Sequence, residues 1–61
     1  MSDVEVMVAE LWEFEQRLGV FGWGENTRET QESWEMVHAE LNRFFSPLEI
    51  RRMVWGYGRG V

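Results

Sequence analysis

Residues 26–47 read NTRETQESWEMVHAELNRFFSP, and the spacing of apolar side chains along this stretch decides the fold class. Thr30, Trp34, Val37, Leu41 and Phe44 recur at steps of four and three residues, with Phe45 beside them. That period sets them on one face of an α-helix about five turns long. Asn26 suits the N-cap, and Glu29 three residues later closes a capping box onto free backbone amides. Pro47 cannot continue a helix already begun, so the stretch stops at Ser46-Pro47. The spacing predicts a helix over about 27–45 as the element around which the rest is arranged. It identifies a shape and names no activity.

On the N-terminal side, Ser2-Asp3-Val4-Glu5 is a second capping box, with two acids at the positive end of the helix dipole. Val4, Met7, Val8, Leu11, Phe14 and Leu18 follow a helical stripe, which predicts a first helix over about 3–18. Glu13 and Arg17 stand in the favourable i,i+4 order. Gly19 fits the left-handed position after that helix, with Val20 folding back on its last turn. Residues 19–25, Gly-Val-Phe-Gly-Trp-Gly-Glu, form a connection short enough to favour an antiparallel hairpin. Phe21 and Trp23 either cap the core there or present an aromatic binding spot.

On the C-terminal side, Ser46-Pro47-Leu48-Glu49 combines an N-cap, proline at the first helical position and glutamate at the third. It opens a short third helix over about 47–55, ended by Gly56. Residues 56–61 alternate glycine with Tyr57, Arg59 and Val61. They form either an ordinary flexible tail or an extended docking arm, and as an arm they show Trp55, Tyr57 and Arg59 on one side and glycines on the other. The expected architecture is all-α: an antiparallel helical hairpin, a short third helix and a glycine-rich arm, in a single domain over 1–61.

Sixty-one residues bury a smaller fraction of their surface than a larger domain does, and such chains are marginal alone. With no cysteine, neither a disulfide nor a thiolate metal site reinforces this one. Four Trp, four Phe and one Tyr supply more aromatic surface than so short a chain encloses, which points to self-association or a larger partner. The net charge of −5 is uneven. Residues 1–50 hold all eleven acids against Arg17, Arg28 and Arg43, a balance of −8, whereas 51–61 hold three arginines and no acid. An acidic body disfavours nucleic-acid and anionic-membrane binding, both of which reward dense positive charge. No run approaches the ~18 apolar residues of a membrane span, and Asp3 and Glu5 stand where a secretory signal needs positive charge. A cytoplasmic location is expected.

Few residues carry chemistry. Glu35-Met36-Val37-His38 has the Glu-x-x-His step of di-iron bundles, and Glu15, inside the first stripe, is the third candidate ligand. An antiparallel pairing sets Glu15 against residues 27–30, about 12 Å along the axis from His38 at ~1.5 Å per residue. No metal or cofactor is expected, and a metal-binding dimeric bundle stays a remote alternative. One histidine and no cysteine leave nucleophilic catalysis without a constellation. Arg51, Arg52, Trp55, Tyr57 and Arg59 interleave charge and aromatics as nucleic-acid surfaces do, but three charges on an acidic body are few. In size and acidity, and not in any motif, the chain resembles small accessory proteins of phages and mobile elements.

The expectation is therefore a non-enzymatic protein-interaction module that self-associates or docks on a larger assembly. Phe21, Trp23, Trp55, Tyr57 and Arg59 are its candidate partner-binding residues. The alternative is an acidic decoy whose carboxylates imitate nucleic-acid phosphates in a host enzyme's groove, presented by Glu10, Glu13, Glu29, Glu32, Glu35 and Glu40.

Overall fold

A computed structural model describes residues 2–18 and 28–59, and these form three helices: α1 (Asp3–Arg17), α2 (Arg28–Leu41) and α3 (Pro47–Gly58). The architecture is the expected all-α one, an antiparallel hairpin of α1 and α2 with a short third helix. The Asn26 cap, the Gly19 terminus, the aromatic connection with Phe21 and Trp23, and residues 60–61 lie outside the described residues.

The helix starts follow from local chemistry. Ser2 is the N-cap of α1, and its hydroxyl oxygen accepts the Glu5 backbone N–H at 3.2 Å. Its own O–H donates to the Glu5 carboxylate, so the box closes through the hydroxyl rather than through the Ser2 backbone. At α3 both halves of the box form. The Glu49 N–H donates to Ser46 Oγ at 3.2 Å, and the Ser46 N–H donates to the Glu49 carboxylate at 2.9 Å. That backbone hydrogen bond, joined by the Ser46 side chain, holds the Glu49 carboxyl below its ordinary range. Among the described residues the expected Glu13–Arg17 ion pair does not form.

Two boundaries differ from expectation. Helix α2 ends at Leu41, not Phe45. The N–H groups of Arg43 and Phe44 reach back only three residues, to Glu40 and Leu41, and Phe45 donates to the same Leu41 carbonyl. This tightening breaks the helical phase. Phe44 swings out to 68% exposure while Phe45 turns into the core. Ser46 precedes a proline and is extended, with ψ at 158°. Phe45 and Ile50 then occupy the two positions of a hydrophobic staple and both join the core, so the entry of α3 prevails over the apolar period of α2.

Helix α3 runs on through Gly56, Tyr57 and Gly58, where a flexible tail or an extended docking arm was expected. Helical glycines cost about 1 kcal/mol each relative to alanine. What offsets this is Trp12 of α1. Its indole lies where a Cβ on Gly58 would have to stand, and its ring meets Tyr57 edge-on at 5.8 Å. A bare backbone at 58 is what lets α1 and α3 approach so closely.

The organising element is also not the middle helix. Both α2 and α3 pack on α1, which is the common partner of the two interfaces. Val8 and Leu11 of α1, Leu41 of α2, and Ile50 and Val54 of α3 are the buried core. Val4, Met7, Trp12, Trp34, Val37, Phe45 and Met53 pack around them.

Candidate functional site

The polar centre of the molecule is Glu15, on the core side of α1. Its carboxylate takes a two-pronged contact from Arg51 of α3, with Nη1 to Oε1 at 2.8 Å and Nη2 to Oε2 at 2.7 Å. It also accepts the indole N–H of Trp34 of α2 at 3.1 Å. One side chain on α1 therefore holds both other helices. Burial alone would raise the Glu15 carboxyl, but the Arg51 and Trp34 hydrogen bonds and the nearby positive charge bring it below its ordinary value. The hydrogen bond to Glu15 in turn raises Arg51, against the opposing effect of burial. The Trp34 ring stacks on His38 one turn later, with centroids 4.7 Å apart and planes at 17°.

Sequence reasoning placed Glu15 against residues 27–30. It lies instead against Trp34, nearer His38 than expected. An indole N–H packed against a core needs an acceptor, and Glu15 is the one supplied. As a metal ligand the residue is already committed, since both its oxygens take donors. Glu35 is exposed, and among the described residues no three His, Asp or Glu side chains converge.

The candidate partner-binding residues fare differently from one another. Phe21 and Trp23 lie outside the described residues. Trp55, Tyr57 and Arg59 were expected on one side of an extended strand, and the helix separates them. Positions 55 and 57 are about 200° apart around α3 at ~3.6 residues per turn, so Tyr57 turns to Trp12 while Trp55 faces outward. Arg59 is the C-cap of α3, and its N–H donates to the Trp55 carbonyl at 3.1 Å. It stands one turn beyond Trp55, on the same side.

Leu48, which sequence reasoning did not single out for binding, shares this outer face with Trp55. Leu48 is 62% exposed and Trp55 59%. With Arg52 between them, at steps of four and three, they form an apolar ridge edged with positive charge along α3. The signal was available: positions 48, 52, 55 and 59 share a face once the helix is carried past Gly56. Phe44 and Met36, the latter 74% exposed, add apolar surface elsewhere.

On α1, away from the core, Val6, Ala9, Glu10, Glu13, Phe14 and Arg17 line an open groove of about 370 Å³. The six carboxylates of the decoy reading (10, 13, 29, 32, 35 and 40) are all exposed, with Glu40 paired to Arg43 at 3.1 Å. No helix among the described residues is long and apolar enough to cross a membrane. The chain matches no protein-family model, no curated protein and no solved structure.

Proposed function

We propose that this chain is a non-enzymatic helical interaction module that works by self-association, with docking on a larger protein as the second form of the same role. The observation carrying this reading is the apolar surface left outside the fold. Met36, Phe44, Leu48 and Trp55 are each more than half exposed, against five buried core side chains. Covering the rest of Trp55 removes roughly 100 Å² from water, about 2.5 kcal/mol at ~25 cal/mol per Å². For a domain this small, that is a large share of total stability. The ionisable groups gathered between the helices support the absence of catalysis in this reading. Glu15 and Arg51 satisfy each other rather than standing ready for a proton or a substrate.

Sedimentation equilibrium at micromolar to submillimolar concentration tests the proposal. Association beyond the 7.3 kDa chain, with a melting temperature that rises with concentration, is the expected result. A clean monomer with a concentration-independent melt overturns it. Salt separates the decoy alternative, because carboxylates imitating phosphates lose their target steeply as ionic strength rises, whereas apolar docking responds weakly.

A further inference from the structure

We infer that the outer ridge of α3 docks into the outer groove of α1 on a second copy of this chain. The inference rests on the interaction-module reading and names its partner and both surfaces. The ridge is Leu48, Arg52, Trp55 and Arg59, apolar along its crest with two guanidinium groups beside it. The groove has Val6, Ala9 and Phe14 as its apolar lining, and the exposed carboxylates of Glu10 and Glu13 with the guanidinium of Arg17 at its edge, so its balance is acidic by one charge.

Charge selects this pairing among the ways two copies can meet. Ridge against ridge sets arginines facing arginines, and groove against groove leaves two carboxylates on each copy with only Arg17 to offset them. Ridge into groove brings Arg52 and Arg59 to Glu10 and Glu13 while Leu48 and Trp55 cover Val6 and Phe14. Net charge therefore favours the third arrangement over the first two. The uneven charge of the sequence, acidic through residue 50 and basic after it, thereby acquires a physical use.

The pairing also determines the assembly. The ridge residues Trp55 and Arg59 border Trp12, Glu15 and Gln16 of α1, whereas the groove is lined by other residues of α1, so the two surfaces of one copy are distinct. Each copy offers a free ridge and a free groove after its first contact. Such a contact is heterologous, and successive copies add head to tail until a ring closes or a chain grows.

Two surface variants test this. Trp55→Ala with Arg52→Glu disables the ridge, and Glu10→Arg with Glu13→Arg disables the groove. All four positions are exposed, and helical circular dichroism with an unchanged dilute-solution melt verifies that each variant folds. Each variant alone should associate more weakly than the natural chain, by roughly 10–30-fold in dissociation constant, as for loss of an aromatic or arginine anchor. Mixed together, the two keep one intact ridge and one intact groove, so sedimentation should show a 1:1 particle of twice the 7.3 kDa chain mass and nothing larger. If the natural chain associates and both variants associate equally well, this contact is wrong while the module reading stands on another surface. If the mixture stays monomeric although each variant is folded and the natural chain associates, the ridge–groove pairing is also overturned. A natural chain that is monomeric throughout overturns both readings together.

Discussion

Replacing the two helical glycines of α3 by alanine, one at a time, tests whether the C-terminal segment is a helix seated on Trp12. At Gly56 a new Cβ meets no atom within 4 Å, so only backbone preference changes. An interior Gly→Ala step in a helix contributes about 0.8–1 kcal/mol. In a chain of this size that raises the melting temperature by roughly 4–8 °C. At Gly58 the same preference is opposed by overlap with the Trp12 indole, a rigid ring already packed edge-on against Tyr57. Overpacking of this kind costs about 1–3 kcal/mol, and the last helical residue gains less from alanine than an interior one. The expected net effect of Gly58→Ala is a loss of about 0.5–2 kcal/mol. Urea denaturation followed by helical circular dichroism reads both changes. Repeating Gly58→Ala in a Trp12→Ala background isolates the contact, because there the penalty should vanish. Were Gly56→Ala to destabilise the protein, residues 56–58 would not be helical in solution. Were Gly58→Ala to stabilise it as much as Gly56→Ala, Trp12 would not lie across α3.

Three further outcomes follow from the same structure. The folded-state carboxyl of Glu15 titrates below its ordinary value of 4.5, so its ion pair stabilises the protein above that pH and the benefit is lost as pH falls through the folded value. The urea-midpoint gap between the natural chain and Glu15→Gln should accordingly shrink from pH 7 toward pH 3, and a constant gap refutes the assignment. Leu41, fully buried, should lose about 2–5 kcal/mol on replacement by alanine, whereas Met36 at 74% exposure should lose under about 0.5 kcal/mol in dilute monomer; equal losses in chemical denaturation would contradict the packing. Ser46→Ala removes the N-cap of α3 and should cost about 0.5–2 kcal/mol in the same assay, with no change expected only if the cap is not formed in solution.

What was legible in the sequence was what neighbours along the chain decide. The Ser46-Pro47-Leu48-Glu49 cap, the start of α1 at Ser2 and the inward phase of Leu11 and Leu41 all depend on residues within a turn or two. Contacts distant in sequence decided the rest. Gly56 looked like a stop because local propensity favours stopping, and the indole that keeps the helix going belongs to Trp12. Phe44 looked like core because the apolar period ran through it, but the entry of α3 through Phe45 and Ile50 breaks that period. Glu15 was visible as a carboxylate inside an apolar stripe. Its partner Arg51 lies 36 residues away on a helix whose placement the sequence did not specify. Trp55 was visible as a binding candidate, but its grouping with Leu48 and Arg52 was not, because only the packed structure separates the apolar residues of α3 that face in from those that face out.

The single carboxylate joining three helices has a consequence for how the molecule opens. Helices α2 and α3 both rest on α1, so either could peel away while the other stays. Lifting α3 off withdraws Arg51 and leaves Glu15 ionised beside Trp34 in a partly desolvated place. Lifting α2 off removes the indole donor and wets the other side of the same ion pair. Each partial opening thus carries an electrostatic penalty felt at the opposite interface. Slow amides of α2 and α3 should then exchange with solvent at a common rate, as one cooperative unit, and Glu15→Gln should split that rate into two.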